Sequence, residues 1–112
     1  MPDTTRTPEL ISAVKTSSKK GANWITVTFR NTATDATVAN ALFHGGADFS
    51  MTQSIGTPSD LDTHEVEVTV YGDYLYCQMA YYWNLTPEIQ GSGIFGPLSN
   101  QVSVDYGKKG KP

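Results

Sequence analysis

The chain has 112 residues, a net charge of −3, and 38% hydrophobic against 17% charged residues. That length buries about two thirds of the unfolded surface, enough for one core without staples, and the balance excludes a disordered chain or a coiled coil. A single cysteine excludes an intrachain disulfide and a multi-cysteine zinc site, and no apolar run reaches the roughly 18 residues that a spanning helix needs.

Residues 1–6 read as an N-terminal arm. They show no charged region followed by an apolar one, so synthesis in the cytoplasm without a signal peptide is expected. Pro8 biases its predecessor toward extended backbone, and Leu10–Thr16 reads as the first strand. Ser17–Asn23 reads as a turn. Trp24–Arg30 alternates, with Ile25, Val27 and Phe29 on one face and Thr26, Thr28 and Arg30 on the other, the pattern of a half-buried strand.

Asn31–Asp35 is a polar turn, and Val38–Phe43 and Phe49–Ile55 are strands closed by Gly45-Gly46 and by Gly56, Pro58 and Ser59. Val66, Val68 and Val70 alternate with Glu65, Glu67 and Thr69. After Gly72-Asp73 comes the aromatic run Tyr74–Trp83, then a loop over 84–97, then Val102, Val104 and Tyr106 alternating with Ser103 and Asp105. Seven short strands with turn signals between them, and no segment patterned as a helix, predict an all-β, seven-stranded antiparallel β-sandwich over 7–106. Residues 107–112 form a basic tail.

Three segments carry a family resemblance. Ile25-Thr26-Val27-Thr28-Phe29 resembles the second strand of a fibronectin type III domain, with Phe29 where the family usually has Trp. Tyr74-Leu75-Tyr76-Cys77-Gln78-Met79-Ala80 resembles the sixth strand, often Tyr-x-Tyr-x-Val-x-Ala. Gly96-Pro97-Leu98-Ser99-Asn100-Gln101-Val102-Ser103-Val104 resembles the approach to the last strand, typically Gly-Pro-x-Ser-Asn-x-Val-x-Val. Residues 31–64 match poorly. The resemblance implies an immunoglobulin-like sandwich that serves as a spacer or binding module, with Tyr74 or Tyr76 as a tyrosine corner. Gln78 stands where the family places an inward aliphatic. Either Gln78 points inward with buried partners, or Leu75, Cys77, Met79 and Tyr81 do.

Chemistry-bearing patterns are sparse. Asp60, Asp62 and His64 share a parity, but they read as a polar turn entering a strand, so no metal and no cofactor is expected. Cys77 lies in an aromatic strand and reads as a buried, inert thiol. No nucleophile elbow or phosphate loop occurs, so the chain reads as a non-enzyme with no catalytic residue. Residues 31–107 hold nine carboxylates and no Lys or Arg, which disfavours nucleic acid as a partner, and without a spanning apolar run no membrane is expected as one.

Binding features remain. Three consecutive aromatics, Tyr81-Tyr82-Trp83, cannot all face inward on one strand, so Tyr82 or Trp83 is expected at the surface beside Ile94 and Phe95. Lys108, Lys109 and Lys111 are expected to dock on an acidic surface of a neighbour. The first expectation is a structural or interaction protein that contacts other subunits or sister copies. The family resemblance suggests a tailed-phage virion, as a decoration, head or tail component. The alternative is a carbohydrate-binding or adhesin module at a cell surface. It would stack Tyr82 and Trp83 on surface glycans, with Asp48, Asn84 or Gln90 binding hydroxyls.

Overall fold

A computed structural model describes residues 3–45, 49–84 and 93–106, with residues 49–51 described by their backbone alone. Within them the strands are β1 Glu9–Lys19, β2 Ala22–Arg30, β3 Val38–His44, β4 Phe49–Gly56, β5 Thr63–Tyr71, β6 Tyr76–Trp83, β7 Ile94–Phe95 and β8 Val102–Asp105. No helix forms among the described residues. The short β7 is an eighth strand, inside the segment read from sequence as a loop. Two residues carry no periodicity, so their pairing with Tyr82 and Trp83 left no trace in the pattern.

The β1–β2 hairpin is longer than its sequence suggests. The expected turn over Ser17–Asn23 shrinks to Lys20-Gly21, because Ser17, Ser18 and Lys19 pair with Trp24, Asn23 and Ala22. Lys20 (φ 50°) and Gly21 (φ 85°) are both left-handed, the backbone of a two-residue turn that matches strand twist. Register shifts at Leu10/Ser12 and Lys15/Ser17 bend β1 along its length.

All eight strands join one sheet in the order β4-β3-β6-β8-β1-β2-β5, with β7 added beside β6. The expectation of a wholly antiparallel arrangement is corrected at one joint. β8 runs antiparallel to β6 but parallel to β1, with Ala13 opposite Val104 and Val14 opposite Asp105. The sheet is therefore mixed, and it curls into a nearly barrel-shaped body until its end strands β4 and β5 approach each other. β8 is its middle strand.

The concave face encloses one core. β2 supplies Ile25, Val27 and Phe29, β5 supplies Val68 and Val70, β3 supplies Ala39, Ala41 and Phe43, and β6 supplies Cys77, Met79, Tyr81 and Trp83. On β6 the parity open in the sequence is thereby decided: Cys77, Met79 and Tyr81 face inward, whereas Leu75, just before the strand, is exposed. Gln78 takes the other face and donates from Nε2 to the Ser99 carbonyl at 2.8 Å. The tyrosine hydroxyls that pin the backbone belong to other positions than those expected. Tyr81 accepts from the Thr32 N–H and donates to Asn31 Oδ1, while Tyr106 bridges the N–H and C=O of Tyr74, both at 2.8 Å.

Candidate interaction surface

The segment after β7 is fastened residue by residue, and this fixes what it presents to solvent. Gly96 donates its N–H to the Tyr81 carbonyl at 2.9 Å. A Cβ on Gly96 would lie 2.9 Å from both the Thr4 carbonyl oxygen and Trp83 Nε1, so only glycine fits without displacing a neighbour. Ser99 is buried; it donates its N–H to the Met79 carbonyl and accepts from the Met79 N–H at Oγ. Asn100 uses its side-chain amide as a strand backbone would, accepting from the Leu10 N–H at 2.9 Å and donating to the Leu10 carbonyl at 2.8 Å.

Held this way, Ile94, Phe95 and Leu98 stand 46%, 57% and 40% exposed. The Tyr82 ring meets Phe95 edge-on at 5.1 Å, with the planes at 67°. Tyr82 also lies directly over Gly93, whose absent Cβ would fall 2.2 Å from the ring. Next to Phe95 is a shallow depression of about 360 Å³ lined by Leu42, Thr52, Ala80, Phe95, Gly96 and Leu98, none of them ionisable. A cluster of exposed apolar side chains around such a depression suits protein contact better than a charged ligand.

Tyr82, Ile94 and Phe95 thus come together as the sequence suggested, and Trp83 does not. Trp83 is fully buried, packed edge-on against Tyr81 at 5.6 Å, and belongs to the core. The cause is β6 parity, which sends Trp83 inward with Tyr81 and leaves Tyr82 on the outer face. Its indole Nε1 has no hydrogen-bond partner among the described residues. The stacking pair of Tyr82 and Trp83 on which a sugar site would depend is therefore not formed. Of the other residues in that reading, Asp48 and Gln90 lie outside the described residues, as do Lys108, Lys109 and Lys111.

Leu42, Ala80 and Leu98 were not singled out from sequence. Ala41-Leu42-Phe43 buries residues of both parities, which signals a strand covered on its outer face too. The part of the N-terminal arm that the structure describes lies on its own domain: the Arg6 guanidinium donates to the Thr32 carbonyl, and the Thr4 carbonyl sits over Gly96.

Elsewhere, His64 Nε2 meets Asp60 Oδ1 at 2.6 Å, and the same oxygen accepts the Asp62 N–H. The hydrogen bond to His64 holds the Asp60 carboxyl below its usual range. No group of three metal-ligating side chains occurs among the described residues. Burial pushes the Cys77 thiol up to about 12, which denies it the thiolate that nucleophilic chemistry requires. No protein-family model, curated protein or solved structure matches the chain.

Proposed function

We propose that the protein is a non-catalytic structural component that works by binding other protein subunits, and that it does so as part of a tailed-phage virion, in a decoration, head or tail position. The observation that carries the binding reading is the exposed cluster of Ile94, Phe95 and Leu98 around an uncharged depression. Aromatic side chains are enriched at protein interfaces, and the fully buried centre of such a patch is more apolar than the rest of the surface.

We also read the fold as an immunoglobulin-like sandwich of the fibronectin type III kind. The strand order supports this. In immunoglobulin sandwiches the first, second and fifth strands are neighbours, and so are the third, sixth and seventh. Here β1-β2-β5 and β3-β6-β8 are such triplets, with β4 beside β3 instead of beside β5. The Gly96–Asn100 sequence supports it as well, because each of Gly96, Ser99 and Asn100 makes a contact that ties this stretch to β6 or β1.

The test is to quantify the chain by mass spectrometry in purified particles from its source. A fixed copy number per particle is expected, together with loss of incorporation for Phe95→Ser. That substitution removes the edge-on contact with Tyr82 and should cost about 0.5–1.5 kcal/mol, so an unchanged far-UV circular dichroism spectrum is the control for fold. Absence of the chain from particles would sink the virion reading, and full incorporation of the variant would remove the Phe95 surface from it.

A further inference from the structure

On its outer face β2 carries Ala22, Trp24, Thr26 and Thr28, and Trp24 is the only large apolar side chain among them. It is half-buried, and its cross-strand neighbours are small: Ser17 on β1 and Thr69 on β5. Two residues along β5 from Thr69, Tyr71 stands on the same face, opposite Ala22 and 69% exposed. That register makes Trp24 and Tyr71 diagonal neighbours, about 7–8 Å apart along the backbone. Neither ring packs on another aromatic ring among the described residues. Beside Trp24 is a shallow depression of about 310 Å³ lined by Ser17, Ser18, Lys19, Trp24 and Glu67. Glu67 accepts from Thr16 Oγ1 at 3.2 Å, and it makes no ion pair with Lys19.

We infer that this outer face binds a neutral saccharide chain, whose sugar rings stack on Trp24 and Tyr71. A pyranose presents an apolar face of C–H groups and a rim of hydroxyls, so it needs a flat aromatic surface with donors and acceptors around it. The two rings project from one face of one sheet, which lets a chain lie across both. Around them Glu67 accepts hydrogen bonds, Lys19 donates them, and the hydroxyls of Ser17, Ser18 and Thr69 do either.

The surroundings of the two rings separate this face from the one around Phe95. Lys, Glu and Ser are depleted at protein interfaces, yet here they line the depression. The Phe95 depression, by contrast, holds no ionisable side chain. Lys19 and Glu67 carry opposite charges, so the site favours neither an anion nor a cation, and a neutral ligand fits it. The two surfaces share no residue: one is built on β1, β2 and β5, the other on β3, β4, β6, β7 and the segment that follows it. Saccharide binding therefore goes beyond the assembly reading and stands or falls apart from it.

Native electrophoresis of the full chain through gels containing soluble starch, hydroxyethylcellulose or galactomannan tests this. Retardation in at least one gel is expected. Trp24→Ala and Tyr71→Ala should each weaken it about tenfold, the scale of truncating an aromatic that stacks on a nucleic-acid base. Phe95→Ser should be retarded like the wild type. Far-UV circular dichroism controls for fold, and Tyr71, being largely exposed, serves as the second variant if Trp24→Ala unfolds. Fluorescence gives a direct readout. The chain has two tryptophans and Trp83 is fully buried, so a change in emission on adding the retarding polysaccharide reports Trp24 and should vanish in Trp24→Phe. No retardation in any of the three gels overturns the inference, and equal retardation of both alanine variants overturns it by placing the binding elsewhere. Loss of Trp24→Ala from particles, with no retardation of the wild type, would make this face a subunit contact instead.

Discussion

At the scale of single residues, burial assigns roles that composition does not. Cys77 sits fully enclosed on β6, and desolvation raises its thiol from 9.0 to about 12. A thiol raised in the folded state contributes stability that is complete below pH 9 and is lost as pH climbs toward 12, because only the unfolded chain releases the proton in that window. The unfolding free energy from urea titrations should therefore fall between pH 9 and 11, at up to about 1.4 kcal/mol per pH unit. Cys77→Ala should be less stable at pH 7 yet should flatten this alkaline limb. An equally steep limb in the variant would assign the effect to other groups, such as Tyr106, whose hydroxyl is also raised by burial. Tyr81→Phe offers a second check. It removes the partner of the half-buried Thr32 N–H and of the buried Asn31, and should cost about 1–3 kcal/mol.

Elements are held together here by side chains that imitate backbone. Asn100 precedes β8 and pairs with both polar groups of Leu10, extending the β1–β8 joint beyond its two paired positions. Asn100→Ala leaves a buried residue's N–H and C=O without these partners, and an unfolding loss of about 1–3 kcal/mol is expected. The β1–β2 turn predicts the opposite sign. Lys20 adopts a left-handed backbone that costs a residue with a Cβ about 1 kcal/mol, and asparagine tolerates it better. Lys20→Asn should raise the thermal midpoint, and a lowered midpoint would mean that the lysine side chain makes a contact worth more than the strain.

The strands themselves were legible where one face is buried and the other wet. Trp24–Arg30 and Glu65–Val70 alternate cleanly because their outer faces meet water. β6 was ambiguous in parity because both faces are covered: Ala80 is as buried as Met79, so hydrophobicity marks no side. The same cover on both faces is why the sequence leaves open which of Tyr82 and Trp83 turns outward. The Gly96–Asn100 stretch was recognisable as a pattern, but its contacts reach Leu10, Met79 and Tyr81, and no local rule names such distant partners.

For the whole molecule, sheet order decides what is exposed, and it is the property that the sequence hid most fully. Alternation tells which face of a strand is buried, not which strands are neighbours. The placement of β5 beside β2 is what brings Tyr71 onto the same face as Trp24. Pairings between distant segments also predict the folding rate. β1 must find β8 and β2 must find β5 across long intervening stretches, so refolding is expected on a millisecond-to-second scale by stopped-flow fluorescence. A microsecond phase that completes native fluorescence would contradict the mixed topology.

The placement of β8 bears on how the protein is made. The hairpin β1–β2 with β5, and the group β3, β4 and β6, are each synthesised before the four residues Val102–Asp105 that join them. Until the ribosome releases that last strand, the nascent chain holds two half-built sheets, with β1 bare on its inner side and β6 covered there only by the two residues of β7. A message cut short before Val102 therefore yields a product with seven of the eight strands and no closed body, the kind of species that quality-control proteases remove and that aggregates when they do not.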